Sequence, residues 1–170
     1  MALSLENIVK RSYTSSFWLR ILNYGLWYKI PFNKPHRLRI KSLSENSITV
    51  HIPYIRKNLN HLNGIHACAL ATASEYACGF LLISRLSSSK YRLIMRNMNV
   101  DYIKQGKEDL FVNFKIEENR IEEIKSKLSK EPQCLEILEV EVRDAKQNLI
   151  SVARLEWQLK EWERITNYKL

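Results

Sequence analysis

Apolar and polar residues alternate over six stretches of the chain, which is the pattern of half-buried β-strands. In residues 46–55, every second residue from Ile48 to Ile52 is apolar. Short polar segments that suit turns separate neighbouring stretches, such as Glu45–Asn46 between the first two. We predict strands over residues 37–44, 46–55, 91–102, 109–117, 134–144 and 149–160.

Three other stretches have helical composition. Residues 4–29 are rich in apolar and aromatic side chains, with Ser4 or Ser16 as the candidate N-cap. Residues 65–84 are apolar on nearly every side, so the helix they predict has to be enclosed by the rest of the domain. Residues 119–132 are charged and predict a short helical insert between two strands.

The order of these elements is a helical lead, two strands, one enclosed helix and four more strands. Consecutive strands joined by tight turns form an antiparallel sheet, and a helix that is apolar all round has to be covered. The predicted fold class is therefore α+β, with a curved antiparallel sheet wrapped around one central helix. We place an N-terminal helical extension at residues 1–34 and the sheet-and-helix domain at residues 35–170.

The positive charge of the chain is concentrated towards its N-terminus. Residues 1–100 contain 14 Lys and Arg against 3 Asp and Glu, whereas residues 101–170 contain 13 against 15. A basic half indicates either an anionic partner, such as nucleic acid, phospholipid or a phosphorylated cofactor, or a solvated surface. The sequence has no Gly-rich phosphate loop and no recognised nucleic-acid-binding module, so we do not expect nucleic acid as a partner.

The cysteines and histidines show no pairing pattern. Cys68, Cys78 and Cys134 form no CxxC motif, which predicts a reducing, cytoplasmic location without disulfides. Their spacing with the histidines fits no zinc site, and we expect neither a metal nor another cofactor. The N-terminus lacks the pattern of a secretory signal. Residues 65–83 are nearly long enough to span a membrane, but their small and polar residues favour a buried helix.

One charged residue interrupts the enclosed helix. Glu75 is the only charge between Lys57 and Arg85, and burying a carboxylate without a partner costs several kcal/mol. Its presence therefore needs an explanation. Either Glu75 pairs with a basic group as a structural acid, or it faces a site where the charge is used.

The residues around the start of this helix resemble a known motif. Asn60 lies six residues before His66, Asn63–Gly64 lies between them, and Glu75 follows His66 by nine residues. The segment resembles the hotdog-fold acyl-CoA thioesterases of the phenylacetate-pathway type, which carry an Asn, a Gly-containing turn, His-Gly-Gly and an acid nine residues after the His. It looks closest to a branch of that superfamily with an N-terminal helical extension and Glu as the acid.

The resemblance implies a hotdog fold, hydrolysis of an acyl-CoA or another acyl-carrier thioester, and a homodimer that can pair into a tetramer. In that family the backbone amide after the His polarises the thioester carbonyl, and Ala67 holds this position here. The family's His-Gly-Gly is His66-Ala67-Cys68 in this chain, so two side chains crowd the approach of a substrate. On this resemblance we assign catalytic roles to Asn60, His66, Ala67 and Glu75, and substrate contacts to Asn63, Gly64 and Cys68.

Several of these residues also have a structural interpretation. His66 either takes part in the chemistry or only forms a hydrogen bond at the helix start, and Asn60 either orients the reactants or braces the turn. Cys68 is favoured as a packing residue over a nucleophile, because nothing in the sequence around it predicts an activated thiol. Candidates for binding the phosphates of coenzyme A, on charge alone, are Arg92, Arg96, Lys104 and Lys107.

A single chain cannot bring the helix start and Glu75 to one carbonyl group. Nine helical residues rise about 13.5 Å, at about 1.5 Å per residue. Thioester hydrolysis needs hydrogen-bond donors for the developing oxyanion, which a helix N-terminus supplies, and a carboxylate beside the same carbonyl. Two such helices packed antiparallel about a two-fold axis meet both needs, so we expect Glu75 of one subunit near residues 60–67 of the other.

Three functions fit the sequence, in this order of preference. The first is a thioesterase with its pocket at the dimer interface, and the second is a non-catalytic acyl- or lipid-binding hotdog dimer. The third is a basic module that binds a membrane or nucleic acid, for which the aromatic segment 17–30 offers a peripheral membrane contact. Loss of hydrolysis in Glu75→Gln, ligand binding without turnover, and steeply salt-dependent binding distinguish the three.

Overall fold

The computed structural model describes residues 4–162. Residues 1–3 of the predicted N-terminal extension and residues 163–170 of the predicted sheet-and-helix domain lie outside the described residues. A short 3-10 turn, Arg56–Asn58, precedes the loop into the central helix. The helices are α1 (Leu5–Ser12), α2 (Ser16–Lys29), α3 (Asn33–His36), α4 (Ala67–Arg85) and α5 (Glu118–Lys130). The strands are β1 (Arg39–Leu43), β2 (Ser47–Ile52), β3 (Tyr91–Tyr102), β4 (Leu110–Lys115), β5 (Gln133–Asp144) and β6 (Leu149–Glu161).

The six strands form one sheet in the order β1-β2-β4-β5-β6-β3, and every neighbouring pair is antiparallel. The predicted turn between β1 and β2 is present and is closed by hydrogen bonds between Ser44 and Ser47. β2 ends at Ile52, earlier than predicted, because Pro53 opens a turn in which its carbonyl accepts the Ile55 N–H. β1 and β3 are the two edges of the sheet.

The central helix α4 packs against the sheet and forms much of the core. Its bounds lie within two residues of the prediction, and its buried alanines, Ala69, Ala73 and Ala77, allow the strands to approach closely. α4 is long and apolar enough to cross a membrane, but 56% of its apolar 18-residue segment is buried inside the domain, as expected of a core helix. The buried side chains that the sheet directs at it include Val50, Ile52, Val112, Val140, Leu155 and Trp157.

The helical lead is two helices rather than one. α1 begins at the predicted cap Ser4, but α2 is capped by Ser15, whose hydroxyl accepts the Trp18 N–H, and not by Ser16. α1 ends at Ser12 and α2 begins at Ser16, and Ser15 before α2 has the extended backbone angles of a capping residue. α2 then contributes buried leucines to the same core as the sheet.

Two side chains of α2 fasten it to the edge of the sheet. The Asn23 amide donates to the Ile40 carbonyl at 3.0 Å and its oxygen accepts the Ile40 N–H at 2.7 Å. The Trp27 indole donates to the Leu38 carbonyl at 2.6 Å. Asn23 thus satisfies both backbone groups of one edge residue, as a neighbouring strand would.

Helix α5 covers the region between β4 and β5. It buries Ile121, Ile124 and Leu128, and two of its basic side chains, Arg120 and Lys127, pair with the buried carboxylate of Glu136 on β5. A buried carboxylate is tolerated when it is paired in this way.

Candidate active site

The loop before α4 closes into a tight turn around Asn60. The Asn60 side-chain oxygen accepts the backbone N–H groups of Leu62, at 2.9 Å, and Gly64, at 3.1 Å. The backbone N–H of Asn60 donates to the Gly64 carbonyl at 2.8 Å. Asn63 has a φ of 56°, in the left-handed region that Asn tolerates better than most residues. In this structure the Asn60 oxygen is therefore used to brace the turn.

A second loop lies against Gly64. A Cβ on Gly64 would lie 2.5 Å from the side chain of Gln105, so a larger residue would require this side chain to move. Gln105 donates to the Leu62 carbonyl at 3.3 Å, and the adjacent Gly106 carbonyl accepts the Ile65 N–H at 2.8 Å. The loop after β3 thus holds the turn in place.

His66 is the N-cap of α4. Its ring nitrogen Nδ1 accepts the Cys68 N–H at 3.0 Å, which assigns the ring proton to Nε2, and its backbone N–H donates to the Asn58 carbonyl at 2.7 Å. The ring is exposed, as is Cys68. The cap uses Nδ1 and the Cys68 amide, so neither is open to a ligand in this conformation.

The Ala67 amide, by contrast, has no acceptor among residues 4–162. Ala67 is the first residue of α4, where backbone N–H groups are unpaired and the helix dipole is positive. Its carbonyl accepts the Tyr102 hydroxyl at 3.3 Å. Ala67 is partly exposed, and its N–H is a donor for a carbonyl or carboxylate oxygen.

Glu75 lies two turns further along α4 and faces a different space. Its carboxylate forms no hydrogen bond or ion pair with any residue in the described range 4–162, and burial raises the pKa of its carboxyl group above the ordinary value. It lines a cavity of about 810 Å³ between α2, α4 and the neighbouring ends of β3 and β6. An unpaired carboxylate in such a wall is a functional-site candidate.

The cavity beside Glu75 is mainly apolar. Two cations also line it, Lys29 and Arg92, and the Arg92 guanidinium lies 5.5 Å from the centre of the Trp162 ring. Arg92 has no ion-pair partner in the part of the chain that the structure describes, and its Nε is buried without an acceptor. Among the apolar residues of the wall are Ile21, Leu22, Leu26, Tyr76, Phe80 and Trp157.

The structure thus separates the predicted site residues into two groups. The turn and the helix start form one group, and Glu75 stands apart from it, because the eight residues from Ala67 to Glu75 rise about 12 Å. Within one chain, the amide and the carboxylate do not meet at one carbonyl group. The roles assigned to the predicted residues stay predictions. The group formed by the turn and the helix start consists of Asn60, Asn63, Gly64, His66, Ala67 and Cys68.

Sequence reasoning missed the residues that complete these surroundings. Gln105 and Trp157 come from elements far away along the chain, and no local pattern marks them as neighbours of Gly64 and Gly79. Gly25 was also missed, although a glycine in the middle of an apolar helix is a visible signal. Among residues 4–162, no three His, Cys, Asp or Glu side chains are grouped so that they could hold a metal ion.

Comparison with known proteins identifies the family. Residues 19–164 match the family described as a domain of unknown function, DUF4442. The chain belongs to the DUF4442 family. No functionally curated protein matches this DUF4442 chain.

Solved structures show that the DUF4442 chain has the predicted hotdog fold. PA5026 from Pseudomonas aeruginosa, a protein of unknown function described as a probable thioesterase, is 21% identical with a TM-score of 0.77, over 84% of this chain and 95% of its own. OLEI01261 from Chlorobaculum tepidum, of unknown function, is 13% identical with a TM-score of 0.73, over 89% and 99%. The thioesterase HI1161 from Haemophilus influenzae is 12% identical with a TM-score of 0.69, over 93% and 99%.

Proposed function

We propose that this DUF4442 protein is a thioesterase that hydrolyses an acyl-CoA or another acyl-carrier thioester. The observation that carries the proposal is Glu75, a carboxylate with no partner among residues 4–162, in the wall of a mainly apolar cavity on the central helix. Several structures of the same fold are described as thioesterases, which supports this reaction class.

In the proposed reaction, the two separated groups act on one thioester. The Ala67 N–H and the positive end of α4 stabilise the negative charge that develops on the carbonyl oxygen. Glu75, in its ionised form, takes a proton from water as the water oxygen bonds to the carbonyl carbon, or it attacks that carbon itself. The carbon–sulfur bond then breaks and the thiolate of the carrier leaves and takes up a proton. If Glu75 itself attacks, water then cleaves the resulting anhydride, which releases the free acid and restores the Glu75 carboxylate. Asn60 and His66 position the turn and the helix start.

The proposed site needs two copies of the chain. β3 is an edge strand of 12 residues whose outer side has no strand partner among the described residues, and long free edges are usually paired or covered. Pairing of two β3 strands about a two-fold axis would place the two α4 helices side by side and antiparallel. Glu75 of each copy could then reach the Ala67 amide of the other.

A turnover assay across short, long and aromatic acyl-CoAs tests the proposal, with release of the free thiol as the readout. We expect hydrolysis of at least one of them and its loss in Glu75→Gln, with the fold retained by circular dichroism. Glu139→Gln, which changes an exposed Glu on β5, is the matched control and should keep full activity. Unchanged turnover in Glu75→Gln would contradict the proposal.

A second candidate is a hotdog protein that binds an acyl chain without hydrolysing it. Two observations favour it: Ala67 and Cys68 stand in place of the two glycines of the motif, and the His66 ring is engaged as a helix cap. Binding of an acyl-CoA by a well-folded protein, with no turnover of any thioester, would favour this candidate over the first.

A peripheral membrane contact of the N-terminal segment remains a proposal beside either function. Three aromatic side chains of this region, Phe17, Tyr24 and Tyr28, are 58%, 68% and 83% exposed. Basic side chains lie on the same segment at Arg20 and Lys29. Aromatic and basic residues on one helix suit the surface of an anionic bilayer. Co-sedimentation with vesicles that contain phosphatidylserine, compared between low and high salt, would test this contact.

A further inference from the structure

The cavity beside Glu75 continues along α2 and is built like a binding site for a hydrocarbon chain. Its volume of about 810 Å³ falls within the range of ligand pockets, about 300–1,000 Å³. Ile21, Leu22 and Leu26 of α2 form one wall, and Phe80 of α4 and Trp157 of β6 form others. These surfaces are apolar and come from three different elements, so a flexible chain that lies along them would bury apolar surface.

Gly25 leaves the α2 side of this cavity open. It lines the cavity, and a Cβ built on it would meet no atom within 4 Å. No close neighbour therefore requires glycine there, although glycine weakens a helix interior. Gly79, which also lines the cavity, differs: its Cβ would lie 3.0 Å from the Trp157 ring. Gly25 is exposed, so the space beside it is open to solvent and is available to a ligand that enters the cavity.

The polar groups of the lining narrow the choice of occupant. Glu75 belongs to the lining, so a chain bound there starts beside the carboxylate that the proposed reaction uses. Arg92 and Lys29 add positive charge, and Arg92 has no carboxylate partner within residues 4–162. An apolar surface with two cations complements an acyl group that is attached to an anionic carrier.

We propose that this cavity holds the hydrocarbon chain of a long, unbranched fatty acyl thioester, and that Gly25 sets the longest chain that fits. The inference rests on the proposed function for its substrate class and adds the site and the residue that select chain length. A side chain at position 25 would enter the cavity and occupy space that the distal end of the acyl chain otherwise fills.

Binding of two thioether analogues of acyl-CoA, which cannot be hydrolysed, tests the inference without any turnover. The full chain is titrated with S-dodecyl-coenzyme A and with S-butyl-coenzyme A by isothermal titration calorimetry. We expect the dodecyl compound to bind at least about tenfold more tightly than the butyl compound, since its longer chain buries more apolar surface. Equal affinity for the two would overturn the inference.

The variant Gly25→Leu tests the position itself, with Gly25→Ala as its matched control. Gly25→Leu should weaken binding of the dodecyl compound by about tenfold or more and leave that of the butyl compound unchanged, whereas Gly25→Ala should change neither much. Melting temperatures establish that both variants are folded, and Ile21→Phe on the same wall replaces Gly25→Leu if the latter is not. An equal loss for both compounds, or no loss, would contradict the role of Gly25.

The outcomes separate this inference from the proposed function. If the selectivity for long chains and its loss in Gly25→Leu are observed but no thioester is hydrolysed, the cavity assignment stands and the thioesterase proposal fails. If thioesters are hydrolysed with the same chain-length profile in the wild type and in Gly25→Leu, the cavity assignment alone fails. If Gly25→Leu alters self-association in place of ligand selectivity, the cavity is a contact between chains, and the inference is overturned.

Discussion

At the scale of single residues, no structural role within the domain explains the presence of Glu75. A structural acid would need a basic partner, and none lies against it in residues 4–162. Glu136, a fully buried carboxylate on β5, shows the contrast, because Arg120 and Lys127 both pair with it. A protein that keeps an unpaired carboxylate in an apolar wall gives up stability for some use of that charge.

The first prediction concerns the stability of Glu75→Gln. Burial raises the pKa of the Glu75 carboxyl in the folded state. Below the unfolded-state pKa the group is protonated in both states, and the protein keeps its full stability. As the pH rises from there through the higher folded-state pKa, ionisation favours the unfolded chain and this part of the stability is lost. Glu75→Gln should therefore have a higher melting temperature than the wild type at neutral pH, and the difference should shrink towards about pH 4. Thermal melts of both proteins over this pH range would show it; a variant that is less stable than the wild type at every pH would refute the explanation.

The second prediction isolates the Ala67 amide. Ala67→Pro removes this one N–H, and proline is well tolerated at the first position of a helix. The preceding residue, His66, already has the extended ψ of 140° that proline requires of its neighbour. We expect the fold to persist and kcat to fall about 10²–10³-fold, the usual loss for one oxyanion donor. Ala67→Ser, which retains the N–H, is the control; full turnover in Ala67→Pro would exclude this amide from the reaction.

At the scale of elements, the attachment of α2 to β1 depends on one buried side chain. The third prediction is that Asn23→Ala lowers the free energy of unfolding by about 2 kcal/mol, because it leaves the N–H and carbonyl of Ile40 unpaired. Urea unfolding measures the change. Asn7→Ala, at an exposed position on α1, should stay within about 0.5 kcal/mol of the wild type. A similar small effect for Asn23→Ala would show that α2 is held by other contacts.

The elements themselves were largely predictable, because their signals are local. Alternation in β2 and β4 and the all-round apolarity of α4 are visible within a few residues, and they led to the correct fold. The break between α1 and α2 was not predicted, since the residues on both sides favour a helix and the cap is the single residue Ser15. The motif around His66 was found by its resemblance to a known family and not from the pattern of apolar and polar residues.

The surroundings of the site could not be predicted, because they depend on contacts between distant parts of the chain. Nothing in the sequence near Gly64 indicates that Gln105 will lie against it, and nothing near Glu75 indicates that α2 will form a wall of its cavity. The sequence predicted that Glu75 needs an explanation. It did not predict the cavity, because a cavity depends on the space that packed elements leave between them.

At the scale of the whole molecule, the proposed site requires more than one chain. The fourth prediction is that the protein in solution has at least twice the 20.1 kDa mass of one chain, because the free edge of β3 and the distance from Ala67 to Glu75 both call for a partner. Light scattering coupled to size-exclusion chromatography measures the mass. A monomer at the concentrations where the protein is active would contradict the two-chain site.

The central claim, that two chains share each site, is tested most directly by mixing two inactive variants. Ala67→Pro and Glu75→Gln are unfolded together, refolded as a mixture, and assayed for thioester hydrolysis against each variant refolded alone. If one copy supplies the amide and the other the carboxylate, a mixed dimer holds one intact site and one with both defects, and activity should return to roughly a quarter of the wild-type value. A refolded mixture that contains mixed dimers but is as inactive as its components would contradict the claim.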